Sequence, residues 1–293
     1  MIPLWIPFTI FAAFMQSWRN AFQKRLSQEV STAGVTLARF LYASPLAALY
    51  LYLLYRFIPA PSPPLSFDFA RLILLASLAQ IAATALMIML FRLRNYAIGV
   101  GLAKSEAVIA AGLGAVFFSA PLSWVAWSGV LVGALAVWLL SNPGPLRSIS
   151  WKTLLIGLSS GLCFALTVLW VREASLMLGL PFLISAAWVL LSVILTQTLI
   201  LLAWILLREP HTLKALWFRP KLTLAISFFS ALGSVGWFTA MSLESVALVK
   251  TLGQIEVLFT LLISAQWFRE RLKPRDVWGI GLIVLGALLV ILA

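Results

Sequence analysis

Between Phe182 and Leu207 the chain carries no charged residue, no proline and no glycine. At a helical rise of about 1.5 Å per residue, such a run crosses the roughly 30 Å hydrocarbon core of a bilayer. Runs of this kind fill the sequence: approximately 2–22, 34–55, 69–91, 97–118, 121–140, 153–171, 181–207, 222–241, 245–268 and 277–293. Of the 293 residues, 62% are hydrophobic and 10% charged, too little polar surface for a water-soluble domain. The expectation is an all-α integral membrane protein with ten transmembrane helices. "PAPSPP" at residues 59–64 reads as a stiff extended loop, and Pro45, inside the second run, predicts a kink.

A net charge of +12 would suggest nucleic acid in a soluble protein. Here the basic residues sit in short gaps between apolar runs and read as topology markers beside anionic membrane lipids; no nucleic-acid partner is expected. The gaps after the first, third, fifth, seventh and ninth runs hold fifteen Lys and Arg, with Arg19 counted among them. The remaining loops and termini hold Arg56, Arg71 and Arg172. That bias predicts both termini outside the cytoplasm. The single Cys163 excludes an intramolecular disulfide.

The chain nearly repeats itself. "VGALAVWLL" (132–140) resembles "LGALLVILA" (285–293), and "AKSEAV" (103–108) aligns with "GQIEVL" (253–258), setting Glu106 against Glu256. Ten runs divide into a first repeat at 1–142, a linker at 143–152 and a second repeat at 153–293. Five is odd, so the halves are expected in inverted topology, the architecture of alternating-access transporters with a midplane site. Gly112, Gly114, Gly281 and Gly286 are expected to let helices approach closely.

With ten runs in two halves, "FRERLKPRDVWGIGLIVLGALLVIL" (268–292) and Arg39 in "VTLARFLYASPLAALYL", the chain resembles the drug/metabolite transporter superfamily, in its EamA-type exporter branch. Glu270 fits that family's acidic residue in the turn before a glycine-rich last helix; the first half has Ala120 at the matching place. The resemblance implies a multi-pass exporter in the bacterial inner membrane.

Five ionisable residues fall within the runs: Arg39, Lys104, Glu106, Lys250 and Glu256. Charges at this depth mark functional sites by default. Glu106 and Glu256 lie near the tenth residue of their runs, close to the midplane, whereas the stems of Arg39 and Lys250 are long enough to snorkel toward an interface. In a regular helix Lys104 and Glu106 point about 200° apart and cannot pair, and Lys250 and Gln254 share a face at i, i+4. Each carboxylate must find a partner on another helix, reach water, or stay protonated. Glu106 and Glu256 are therefore the candidate proton-coupling residues, against the alternative of a static interhelical ion pair such as Glu106 with Lys250 or Arg39. Arg39, Lys104, Lys250, Gln254, Gln80, Gln16, Trp18 and Trp237 are the candidate substrate-binding residues. Three bases against two acids suit a zwitterionic or weakly anionic solute such as an amino acid or derivative.

The expected function is secondary active transport, a proton-coupled export by alternating access, in which one chain suffices and a dimer is compatible. A multidrug-type exporter of lipophilic cations and a passive channel or facilitator are the competing readings. The sequence holds no Walker phosphate loop, H-E-x-x-H or G-x-S-x-G, so no enzyme activity, cofactor or metal is expected.

Overall fold

A computed structural model of the chain describes residues 3–93, 103–117, 122–141, 151–267 and 274–292. All secondary structure among these residues is helical. The helices are α1 (Trp5–Leu26), α2 (Thr32–Ala38), α3 (Ala43–Phe57), α4 (Phe67–Leu93), α5 (Glu106–Phe117), α6 (Trp124–Ser141) and α7 (Trp151–Met177). They continue as α8 (Phe182–Arg208), α9 (His211–Trp217), α10 (Pro220–Leu243), α11 (Val246–Leu252), α12 (Glu256–Trp267) and α13 (Pro274–Ile291). A 3₁₀ turn at Gly253–Ile255 joins α11 to α12.

Among the described residues, six segments are long and apolar enough to cross a bilayer: Thr32–Phe57, Phe67–Arg92, Trp151–Met177, Phe182–Arg208, Pro220–Leu243 and Val246–Trp267. The sequence led to an expectation of ten. The difference has two sources. Glu106–Phe117, Trp124–Leu139 and Trp278–Ile291 are shorter apolar helices. Helix α1 is long enough, but it buries Arg19, Asn20 and Gln23 on one face. Residues 143–150 of the expected linker at 143–152, the start of the fourth run at 97–102, Ala120 and Glu270 lie outside the described residues.

The molecule is inverted relative to a soluble protein. Leu4, Leu158, Leu199, Leu207 and Trp278 are exposed, whereas Thr9, Asn20, Thr84, Gln197 and Thr239 are buried. Lipid rewards that arrangement, and water would not. Helix α1 packs along α10, α4 along α7, α6 along α13 and α3 along α8, while α5 lies between α7 and α11. Of the four glycines expected to permit close approach, Gly286 does so: a Cβ there would lie 3.0 Å from the Gly133 nitrogen. Gly114 makes an ordinary contact with Leu169, and Gly112 and Gly281 face open space.

Two interruptions place the functional residues. Pro45 stands in the first turn of α3 with no N–H to give. The second span breaks just before it, at Arg39–Tyr42, and Arg39 is the last capping residue of α2. In the ninth span, a Cβ on Gly253 would fall 2.3 Å from Cη2 of Trp237. Only glycine lets that indole lie against the backbone where α-helix gives way to 3₁₀.

Candidate functional site: a buried ionic chamber

The inner faces of α1, α4, α7, α10 and the α11–α12 junction enclose a cavity of ≈ 30 Å³, room for a water or two and not for a metabolite. Its wall carries Gln16, Arg19, Asn20, Arg39, Gln80, Lys104, Glu106, Trp237, Lys250 and Glu256. Glu256 is 0% exposed and is saturated with donors. Gln16 Nε2 donates to Oε2 at 2.6 Å and Asn20 Nδ2 to Oε1 at 2.8 Å, while Lys104 Nζ also bonds Oε2. Glu106 is held more loosely. Lys250 Nζ lies 2.8 Å from its Oε1, a contact ion pair outside hydrogen-bond alignment.

The two ion pairs are reciprocal. The fourth-run lysine holds the ninth-run glutamate, and the ninth-run lysine holds the fourth-run glutamate. All four side chains are at least nine-tenths buried, and charges that deep persist only when paired and hydrogen-bonded. Lys250 also sits 4.1 Å from the centre of the Trp237 ring, a cation–π contact. Trp237 Nε1 in turn donates to Gln16 Oε1 at 2.8 Å. One connected network therefore runs from Lys250 through Trp237 and Gln16 to Glu256 and Lys104.

Several expectations from helical periodicity are corrected here. Lys104 and Glu106 do not pair with each other, as expected, and each finds its partner on another helix. What the periodicity did not show is that Lys104 and Ser105 form a turn rather than regular helix and that both charged residues line the cavity. That turn packs so tightly on α7 that a Cβ at Gly161 would lie 2.1 Å from Ser105 Oγ. Arg39 and Lys250 do not snorkel: they are 3% and 7% exposed and belong to the chamber wall. Lys250 and Gln254 do not share a target, because the 3₁₀ turn rotates them apart. Gln254 lies against Gly133 of α6, outside the chamber, and its amide has no hydrogen-bond partner among the described residues. Trp18 is outside as well, in an aromatic cluster with Phe22, Phe229 and Trp267 at centroid distances of 6.0, 6.3 and 5.4 Å.

Of the other candidates, Gln80 lines the cavity and accepts from Gln197 Nε2 at 2.6 Å. Arg39 Nη1 donates to Thr84 Oγ1 at 2.7 Å. Two wall residues, Arg19 and Asn20, were not expected from the sequence. Arg19, counted there as a loop residue, is buried because α1 continues to Leu26, and it donates to Asn20 Oδ1 through Nε at 3.2 Å and Nη2 at 2.7 Å. The available signal was the polar stripe Gln16, Arg19, Asn20, Gln23, spaced three and four apart along an apolar helix.

Fold and site define a class: a multi-pass helical membrane protein with a charged chamber in its interior. Residues 151–292 match the EamA-like transporter family. A protein of known crystal structure superposes with a TM-score of 0.70 at 13% identity, covering 100% of this chain and 99% of that one. No curated protein sequence matches. Residues 151–292 thus carry an EamA-like transporter domain, consistent with the drug/metabolite transporter superfamily.

Proposed function

We propose that the protein is a proton-coupled secondary transporter that exports a small zwitterionic or weakly anionic metabolite by alternating access. The observation that carries this reading is the pair of reciprocal Lys–Glu contacts closing a chamber too small for a solute. A solute can occupy the chamber only if those contacts part. Its carboxylate would take over a lysine and its ammonium a glutamate, so each broken ion pair is replaced by another. Glu106, held by one cation and outside hydrogen-bond alignment, is the carboxylate more easily released to take a proton. Glu256, with three donors, is the anchor.

Two inverted five-helix repeats account for the packing. Exchanging the first half for the second turns the α1–α10 pair into the α7–α4 pair, and leaves α3–α8, α5–α11 and α6–α13 unchanged as pairs. Such an exchange of partners is the behaviour of a pseudo-two-fold, and rocking about it would expose the chamber to each side in turn. With Arg19 set aside as a chamber residue, the fourteen other basic residues between the runs favour termini outside the cytoplasm, and the bacterial inner membrane is the proposed location. One chain encloses the whole chamber, so a monomer suffices.

A lipophilic-cation exporter is disfavoured, because four basic side chains face the cavity. Purified protein in proteoliposomes tests the reading against a passive channel. A pH step should drive uptake of a labelled amino acid above its external concentration; equilibration without accumulation contradicts coupling.

A further inference from the structure

At the end of the bundle where α1 finishes and α10 begins, the two helices leave an open pocket of ≈ 530 Å³. Arg25 and Glu29 line it from the α1 side, Arg219 and Lys221 from the α10 side, over an apolar wall that includes Phe22 and Leu222. Three cations meet one carboxylate there. Glu29 is taken by Arg219, whereas Arg25 and Lys221 are exposed and have neither a hydrogen bond nor an ion pair among the described residues. The pocket also includes the first turn of α10, whose N-cap Arg219 gives the orphan N–H groups no side-chain acceptor; an anion is favoured at such a terminus. The neighbouring pocket around Ser27 and Gln28 differs, because its cations are engaged by backbone carbonyls: Arg92 by those of Ser27 and Val30, Lys24 by that of Phe91.

What lies deeper than the cations selects the kind of anion. Along α1, Phe22 and Trp18 stand three and seven residues before Arg25, on the face that carries it. Phe22 packs with Phe229 of α10 at 5.5 Å and with Trp267 of α12 at 5.3 Å between ring centroids. On α10 the same spacing from Lys221 reaches Leu224 and Phe228, both 49% exposed. Each helix thus carries a cation at the end of the bundle and an apolar stripe leading about 10 Å inward from it. Trp217, exposed just before α10, suits the headgroup level of a bilayer. A soluble anion would use the cations and leave the stripes untouched; a phospholipid uses both.

We infer that this pocket binds an anionic phospholipid, with the headgroup phosphate held between Arg25 and Lys221 and an acyl chain laid against Phe22 and Leu222. Basic pockets between transmembrane helices suit such headgroups. The lipid bridges α1 and α10, the helices that bring Gln16, Asn20 and Trp237 to the chamber, so its binding stabilises that pair by mass action. The site is independent of what the chamber carries.

The purified full-length chain in neutral detergent provides the test. Its unfolding midpoint is titrated with phosphatidylglycerol at fixed total lipid, phosphatidylcholine making up the balance, and separately with inorganic phosphate and glycerol phosphate at constant ionic strength. Phosphatidylglycerol should raise the midpoint saturably; phosphatidylcholine and the free phosphates should not. One basic residue at a membrane surface is worth about fivefold in affinity, so Arg25→Gln and Lys221→Gln should each raise the half-saturating lipid fraction by about that factor, and the double variant by about thirtyfold. Arg208→Gln removes an exposed cation at the same end of the bundle, one that lies over Trp204 and outside the pocket, and should leave the titration unchanged. Equal shifts from the two lipids, a matching shift from a free phosphate, an unaltered double variant, or an equal loss in Arg208→Gln (a diffuse basic surface rather than a site) would each overturn the inference. All three side chains are exposed, so the variants should fold, and the lipid series needs none of them.

Discussion

Removing Lys104 or Glu256 alone should damage the fold far more than removing both. Their side chains are 8% and 0% exposed, so neither charge can be rehydrated when its partner is deleted. Breaking a buried pair from one side costs about 3–5 kcal/mol, because the remaining charge stays buried, whereas replacing both partners by neutral groups of similar size is often near neutral. Glu256→Gln leaves the Lys104 ammonium beside an amide, and Lys104→Gln leaves the carboxylate with Gln16 and Asn20 but no cation. The second loss should be the smaller, near the bottom of that range, since two neutral donors remain. Thermal or denaturant unfolding of the purified variants supplies the cycle, with a coupling energy of about 2–3 kcal/mol expected between the two positions. If the single losses simply add in the double variant, the pair is not the buried contact described here and the chamber's electrostatics must be redrawn.

Other perturbations separate the chamber from its surroundings. Arg219→Gln should change stability by less than about 1 kcal/mol in the same unfolding assay, because its ion pair with Glu29 is 35% and 49% exposed and screened by water. Gly253→Ala should cost about 1–3 kcal/mol by overpacking and weaken solute binding, since the new methyl would push Trp237 off Gln16; a stable variant with unchanged affinity would contradict the contact. Gln254→Leu should be neutral or stabilising by about 1–2 kcal/mol and leave solute affinity intact, as it removes a buried amide that lies outside the chamber and has no hydrogen-bond partner among the described residues. Loss of affinity there would put Gln254 back in the site.

The sequence reported the all-helical membrane class but not the number of spans, and the site unevenly, for reasons that differ residue by residue. Apolar runs announce themselves because lipid imposes length and composition together. The break near Pro45 was visible because proline removes a donor from the helix ladder. The turn at Lys104–Ser105 was not, since nothing in "AKSEAV" disfavours helix; it is tertiary, fixed where Ser105 packs on Gly161. That turn is what brings Lys104 and Glu106 into one chamber. The 3₁₀ segment at Gly253–Ile255 likewise arises from a distant contact, the Trp237 indole, and it sends Gln254 toward α6. Arg19 was misread because a basic residue near the end of an apolar run looks like a loop marker until the helix is seen to continue to Leu26. Charge type is local and legible; the direction a side chain faces depends on packing partners far along the chain.

Solute-driven proton movement in proteoliposomes tests the central claim most directly: that the carboxylates of this chamber carry the coupling proton. With a pH-sensitive dye trapped inside, adding the solute should change internal pH in the wild type. Glu106→Gln should exchange labelled for unlabelled solute while moving no protons. If Glu106→Gln and Glu256→Gln both retain full solute-driven proton flux, the proton is carried elsewhere and the claim is contradicted.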